Sequence, residues 1–155
     1  MKKKILITVL AIFLVIQFIR PERNTSSTVS ANDITNVYDV PGDVRHILKI
    51  ACNDCHSNNT EYPWYTNIQP VGWWMQDHVD VGKKQLNFSE FGTYPAEGQH
   101  HKMEEVIEQV KGDHMPLNSY LWMHGDAKLN AEQKNKVIEW AERLRQHIAQ
   151  QHNVN

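Results

Sequence analysis

The pattern of apolar and polar positions divides the chain into an almost wholly apolar N-terminal run and a body of amphipathic segments. Between Ile5 and Ile19 only Thr8 and Gln17 are polar, so this run has no polar face. Farther along, four stretches have apolar residues at helical spacing, and no stretch alternates for long enough to form a half-buried strand. The sequence therefore predicts an all-α fold preceded by an N-terminal apolar helix.

Two amphipathic helices are predicted in the first half of the body. The first begins at Pro41-Gly42-Asp43, with Asp43 as its N-cap, and runs directly into Cys52. Its apolar face consists of Val44, Ile47, Leu48 and Ala51. The second covers about residues 70–81 and is expected to end at Gly82. Its apolar face consists of Val71, Trp74, Met75, His78 and Val79.

Two further helices are predicted in the second half. One covers about residues 99–111 and stops at Gly112, since Pro116 soon afterwards prevents its continuation. Its apolar face consists of Met103, Val106, Ile107 and Val110. The last helix begins after Asn130, which is predicted to form a capping box with Gln133. Its apolar face, which needs a partner in the core, consists of Val137, Trp140, Ala141, Leu144 and Ile148.

Charge is distributed unequally between the N-terminal region and the body. Residues 1–31 contain five Lys and Arg against one Glu, a net charge of +4, whereas residues 32–155 carry a net charge of −6 with neutral His. An acidic body without a stripe of clustered cations disfavours nucleic acid as a partner, because phosphate binding requires such cations. A chain of 155 residues suits one globular domain.

The N-terminal run has the charge pattern of a segment inserted with its N-terminus in the cytoplasm. Lys2-Lys3-Lys4 precede it and Arg20-Pro21 follow it, so the body is expected on the extracytoplasmic, periplasmic side. We expect residues 1–20 to remain as a membrane anchor, because terminal Lys and Arg lengthen a short span by snorkelling. Export followed by cleavage after Val29-Ser30-Ala31 is the alternative. Residues 21–35, rich in Asn, Ser and Thr, are predicted to be a flexible tether.

Both cysteines of the chain lie in one short motif, Cys52-Asn53-Asp54-Cys55-His56. The order C-x-x-C-H is the attachment signature of c-type haem. Two thiols on one turn are spaced to add to the two vinyl groups of a haem, and the adjacent imidazole then lies where it can coordinate the iron. The motif therefore predicts one covalent haem c per chain on Cys52 and Cys55, with His56 as the proximal ligand.

Two other interpretations of the motif remain open. A C-x-x-C thiol redox pair usually occurs in a βαβ context, which this sequence lacks, and it does not require the following His. A structural zinc ion needs four ligands, and because there is no second C-x-x-C, distant histidines would have to complete the set. The predicted export segment favours haem, because c-type haem is attached on the far side of the membrane.

A methionine in a loop is the candidate for the second axial ligand of the iron. Met115-Pro116 lies between the third and fourth predicted helices, and the proline limits the conformations of that backbone. We therefore predict Met115 on the iron, opposite His56. The alternative ligands are His78, His114, Met123 and His124.

Tryptophans are expected to shield the haem from water. A haem edge needs an apolar wall, and we predict that Trp73, Trp74 and Trp122 contribute to it. The simpler interpretation is that these rings fill a small core.

Several separated motifs together resemble a known family. In chain order they are Cys52–His56, Tyr62-Pro63-Trp64-Tyr65, Ile68-Gln69-Pro70, Leu86-Asn87-Phe88-Ser89-Glu90, Met115-Pro116-Leu117 with Ser119-Tyr120, and His124 before Leu129. Over about residues 36–150 this order resembles the haem-binding domain family of exported, cytochrome c-like proteins. The resemblance implies a small monohaem domain over residues 36–150 with a cytochrome c-like helical fold, haem c on Cys52 and Cys55, and His56 and Met115 on the iron.

Single-electron transfer outside the cytoplasm is the function expected from two protein ligands on the iron. Such an iron has no vacant site for a substrate, and methionine ligation raises its potential. We therefore expect an electron carrier rather than an enzyme, with a redox partner protein whose basic surface complements the acidic body. The alternatives are a five-coordinate haem enzyme or sensor, of a peroxidase-like or gas-binding kind, and a haem-binding module of a larger respiratory assembly.

Overall fold

The computed structural model describes residues 1–154, and within them it contains helices and no β-strand. The α-helices are α1 (Lys2–Ile16), α2 (Ile34–Val37), α3 (Gly42–Ala51), α4 (Asn53–His56), α5 (Val71–Gln85), α6 (Ala96–Lys111), α7 (Asn118–Leu121) and α8 (Ala131–His152). Short 3-10 helices cover Trp64–Asn67, Phe88–Thr93 and Gly125–Ala127. The all-α prediction is confirmed.

The core lies where α3, α6 and α8 pack together. The contact between α6 and α8 is the most extensive of any two helices described. The core side chains of these three helices are Val44, Ile47, Leu48, Ala51, Met103, Val110, Val137, Trp140, Ala141, Leu144 and Ile148. At the surface, Arg145 of α8 joins α6 through an ion pair with Glu104 at 3.1 Å and a hydrogen bond from Nε to Nε2 of His100 at 3.0 Å.

The predicted end of the second amphipathic helix at Gly82 is wrong. Helix α5 passes through Gly82 and continues to Gln85, and no glycine in the described chain has a positive φ. A Cβ at Gly82 would lie 2.7 Å from the carbonyl oxygen of Cys55 and 2.9 Å from its Cβ. The glycine therefore permits close approach of α5 to the cysteine motif rather than ending the helix.

The predicted N-cap of α8 is confirmed, and the predicted N-cap of α3 is wrong. The capping box of α8 is confirmed, because the Asn130 side chain accepts from the Gln133 N–H and the Gln133 side chain accepts from the Asn130 N–H, both at 2.9 Å. Asp43, predicted as an N-cap, instead lies in the first turn of α3, which is preceded by Pro41. Its carboxylate accepts from the next N–H along the chain and pairs with Lys136 of α8 at 3.3 Å.

Helix α1 has fifteen residues, and none of them is buried. Its apolar side chains from Ile5 to Val15 are exposed. No helix in the described part of the chain has both the length and the apolar content that crossing a membrane requires, so the transmembrane anchor predicted for residues 1–20 is not found.

The segment that follows α1 is hydrogen-bonded to the body. Asn24 donates through its side chain to the carbonyl oxygen of Ser57 at 2.8 Å and to Oγ1 of Thr60 at 2.9 Å, and it accepts from Nζ of Lys83 at 2.5 Å. Its backbone N–H donates to the hydroxyl of Tyr62 at 2.8 Å. These contacts hold the chain at Asn24 against the body, within the stretch 21–35 that the sequence predicts to be a flexible tether.

Candidate functional site

The cysteine motif lies at the junction of α3 and α4. Cys52 is both the last residue before α4 and the C-cap of α3, while Cys55 and His56 belong to α4. The backbone N–H groups of Cys55 and His56 donate to the carbonyl oxygen of Cys52, at 3.1 and 3.0 Å. One helical turn therefore carries the two thiols and the imidazole, as the haem interpretation requires.

The His56 ring is fixed by a hydrogen bond that leaves its second nitrogen free. Its Nδ1 lies 3.0 Å from the carbonyl oxygen of Leu86, the residue after α5. Because a carbonyl only accepts, Nδ1 carries the proton and Nε2 keeps its lone pair. Burial lowers the pKa of His56, so the ring is neutral. A neutral, oriented imidazole is the form that binds a metal.

The segment 86–90 also holds the chain that follows α4. Asn58 donates its backbone N–H to Oγ of Ser89 at 3.1 Å and its amide to Glu90 at 2.7 Å, and it accepts from the Asn87 amide at 2.8 Å. The segment that supplies the carbonyl for the imidazole thus fixes the loop after it as well. The Leu86–Glu90 stretch therefore supports the cysteine motif at two places.

The two thiols are held in their protonated form. Burial raises the pKa of Cys52 to about 12 and that of Cys55 to about 11, with a smaller contribution from Cys55 to the first and from Asp54 to the second. The thiolate is the form that exchanges disulfides, so this environment disfavours a thiol redox pair. In residues 1–154 no three His, Cys, Asp or Glu side chains are grouped as a metal-ion site needs.

Two cavities meet at the motif. One, of about 190 Å³, lies between α4, α5 and the chain leading into α7, and the other, of about 280 Å³, lies between α3, the end of α5, α6 and α8. Cys52, His56, Gln85 and Met115 line both. The structure therefore brings the predicted imidazole and thioether ligands to one common space.

The donors and walls of this space fit a haem. Its remaining lining is largely apolar, with Ala51, Val81, Pro116 and Leu117 in the first cavity and Leu48, Leu86, Phe88, Val106, Val110 and Val137 in the second. Apolar walls with a few directed donors are typical of a cofactor site. One imidazole nitrogen and one thioether sulfur are also ligands that haem iron takes.

The loop that carries Met115 is attached to the end of α6. The backbone N–H groups of His114 and Met115 both donate to the carbonyl oxygen of Gln109, at 3.0 and 3.2 Å. Asp113, in the left-handed region with a φ of 58°, forms an ion pair with Lys134 of α8. The position of Met115 is thus set by the helix pair that forms the core.

Tyr120 connects α7 to the cysteine motif. Its hydroxyl donates to Oδ2 of Asp54 at 2.7 Å, while Oδ1 of the same carboxylate accepts from the N–H of Glu61 at 3.0 Å. The Tyr120 ring also lines the first cavity and stacks on His124, with 4.0 Å between the ring centroids. Burial, followed by the bond to Asp54, raises the pKa of Tyr120, so its hydroxyl remains a donor.

The four alternative iron ligands do not all lie at the cavities that Met115 lines. His78 lines the first cavity, and its Nδ1 lies 2.8 Å from the carbonyl oxygen of Trp74. Met123 and His124 line a separate cavity, and His114 lines neither of the two at the motif. Of the four alternatives, only His78 shares the space with Met115.

None of the three tryptophans predicted at the haem lines either cavity. Nε1 of Trp73 donates to the carbonyl oxygen of Ile19 at 2.7 Å, and Trp74 and Trp122 line the separate cavity. Trp74 precedes Gly82 by eight residues, about 12 Å along α5, which places it two turns from the contact with α4. The walls consist mainly of aliphatic residues, Phe88 and Tyr120, and they also include Asp54, Asp77, His78, Glu105 and Gln109.

Four features of the site escaped the sequence analysis: the glycine contact at Gly82, the amide of Gln85, the carbonyl of Leu86 and the phenol of Tyr120. A signal existed for Gly82, because Lys83-Lys84-Gln85 after it are good helix formers, while Leu86 and Tyr120 belong to motifs that carry the family resemblance. A backbone carbonyl that accepts a functional hydrogen bond cannot be recognised from the sequence, because every residue has a carbonyl group.

Comparison with known proteins identifies the family. A family model described as a haem-binding domain matches residues 11–143, most of the chain. No curated protein and no solved structure matches the chain. The matched region includes the cysteine motif, segment 86–90 and the Met115 loop, and with them every residue that lines the two cavities. The chain therefore belongs to the haem-binding domain family and is a haem-binding protein.

Proposed function

We propose that this haem-binding protein carries one c-type haem and transfers single electrons outside the cytoplasm. The observation that carries the proposal is that Met115 and His56 line the same two cavities, with Cys52 in the wall of both. An iron held by both side chains would have no open position for a substrate. Electron exchange is then the chemistry that remains.

The cysteine motif would hold the haem covalently. Each Sγ of Cys52 and Cys55 would bond to one vinyl group while the thiol hydrogen goes to the other vinyl carbon, which leaves two thioether bonds. Nε2 of His56 and the sulfur of Met115 would be the axial donors. When bound, the haem supplies a one-electron iron couple.

The surrounding residues would raise the reduction potential of the iron and shield it from water. The carbonyl oxygen of Leu86 accepts from Nδ1 of His56, which orients the ring and makes Nε2 a better donor. The apolar lining from α3, α6 and α8 would keep water from a bound haem, and together with a thioether donor this would favour the reduced iron. A raised reduction potential suits a carrier.

Location and partners follow from charge and chemistry. Lys2-Lys3-Lys4 before an apolar run support delivery across a membrane, where c-type haem is attached. We propose an extracytoplasmic, periplasmic domain that is associated with the membrane through its N-terminal segment. Its redox partner would present a basic surface, because residues 32–155 carry a net charge of −6.

Co-expression with a c-type maturation system tests the covalent attachment. Intact mass and a pyridine haemochrome spectrum should show one haem per chain, and C52A and C55A should each reduce or abolish it. Colourless protein with the mass of the polypeptide alone would refute the proposal.

The axial ligand is tested by M115A, with M123A as the matched control. M115A should keep the covalent haem, lose the methionine–iron band, lower the reduction potential and bind carbon monoxide at the opened position. M123A removes an exposed methionine outside both cavities and should leave all four properties unchanged. An unchanged M115A spectrum, or a spectrum altered only by H78A, would overturn the assignment.

A further inference from the structure

An exposed apolar surface lies beside the haem-binding cavities and takes no part in them. It consists of Trp64, Val71, Trp74, Trp122 and Met123, here called the aromatic patch. Trp64 is 73% exposed, Trp122 81% and Met123 62%. The last four residues line one cavity of about 260 Å³, and Trp64 packs edge-on against Tyr65 in the wall of that cavity. Contiguous exposed aromatic surface of this kind indicates an interaction site.

The aromatic patch is fixed next to the end of the exposed helix α1. Gln17 accepts from the N–H of Gln69 at 2.9 Å and donates to the carbonyl oxygen of the same residue at 3.1 Å. The Ile19 carbonyl oxygen accepts from Nε1 of Trp73, which lies beside Trp74 on α5. The end of the apolar helix is therefore bonded to the segment that leads into Trp74 of the patch.

Three properties of this region favour a lipid bilayer over a protein. From Ile5 onward helix α1 has no polar face, whereas a helix that docks on a protein needs only one apolar stripe. Tryptophan is enriched where proteins meet the headgroup region of a membrane. No charged side chain lines the cavity of the patch, so this part of an otherwise acidic body meets no repulsion from anionic headgroups.

We propose that the aromatic patch is a membrane-docking surface that places Trp64, Trp122 and Met123 in the headgroup region of a bilayer, next to α1. The proposal does not require α1 to cross the membrane. Tyr120 lines both the patch cavity and the first cavity at the cysteine motif, so docking holds the haem-binding site close to the bilayer surface. Electron exchange would then take place with a partner at that surface.

The test uses the full-length protein with haem, labelled with 5-fluorotryptophan, and nanodiscs of phosphatidylcholine and phosphatidylglycerol. Fluorine NMR resolves the five tryptophans, and single Trp→Phe variants assign them. A headgroup nitroxide lipid should broaden the Trp64 and Trp122 signals and leave Trp140, buried in the core, unchanged. A water-soluble gadolinium chelate should broaden Trp122 less when nanodiscs are present.

Vesicle flotation provides an independent measure. W122S should lower the partition coefficient about tenfold, as expected for loss of one inserted tryptophan. V37S, which alters an exposed apolar residue outside the aromatic patch, should not change it. The proposal is overturned if the chain does not float, or if it floats while Trp122 keeps its solution linewidth and full exposure to gadolinium. That second result would assign the patch to a protein partner.

Discussion

The Cβ position of Gly82 lies 2.7 Å from the carbonyl oxygen of Cys55, so α5 rests directly on the second cysteine of the motif. Two effects of G82A therefore oppose each other. Helix propensity alone stabilises alanine over glycine by about 1 kcal/mol, whereas overpacking costs about 1–3 kcal/mol. We expect the cost of overpacking to exceed the gain in helix propensity. G82A should therefore have a lower free energy of unfolding in urea and less haem per chain than the wild type.

The control for this substitution is G42A. Gly42 is the first residue of α3, and a Cβ there would meet nothing within 4 Å. G42A should be neutral or slightly stabilising. If G82A and G42A behave alike, the close contact with Cys55 does not constrain the site.

The bond between Tyr120 and Asp54 should contribute measurably to stability. Y120F removes the donor and D54A removes the acceptor of a partly buried, charge-assisted hydrogen bond. A double-mutant cycle in urea should give a coupling free energy of about 1 kcal/mol. Additive single effects would show that α7 is held by packing alone.

The ion pair between Asp43 and Lys136 predicts a pH dependence. The hydrogen bond from Lys136, followed by that from the Val44 N–H, lowers the pKa of Asp43 below its ordinary 3.8. The folded state thus favours the carboxylate, and this stabilisation is present above pH 3.8 and lost as the pH falls through the lower folded pKa.

Urea midpoints of the wild type and D43N measure this contribution. The wild type should be slightly more stable at pH 5.5, and the difference should shrink at pH 2.5. The effect is small because both side chains lie at the surface, where solvent screens the ion pair. D39N, at a carboxylate without an ion pair in the described structure, is the control. A constant difference at both pH values would exclude the ion pair as its cause.

The contribution of the α8 capping box to the free energy of unfolding should also be measurable. N130A removes the acceptor for the Gln133 N–H and should lower the free energy of unfolding by about 1 kcal/mol. N130S restores an N-cap side chain and should recover most of that loss. Equal stability of N130A and wild type would contradict a stabilising cap.

The sequence predicted the parts of the structure that depend on local patterns. Helical spacing located α3, α5, α6 and α8, and the chemistry of Asn130 and Gln133 located one helix start. The cysteine motif and Met115 were also identified from the sequence, and the fold brings Met115 to the cavities that Cys52 and His56 line. These signals are local because each depends on residues a few positions apart.

Features that depend on distant packing were not predictable in the same way. From the sequence alone, Gly82 is expected to end a helix, and only the position of Cys55 shows its role in close packing. The residue types of Trp74 and Trp122 likewise do not reveal which surface these side chains occupy. The same holds for the Leu86 carbonyl, whose partner is thirty residues away in the chain. Tertiary contacts decide each of these cases.

The protonated, half-buried thiols beneath α5 have a consequence for biogenesis. For a chain that carries covalent haem, a maturation enzyme must reach both sulfur atoms and align them with the vinyl groups. Close packing of Gly82 on Cys55 obstructs that access. Attachment would therefore precede the docking of α5, and the cofactor would serve as the template on which α5 closes.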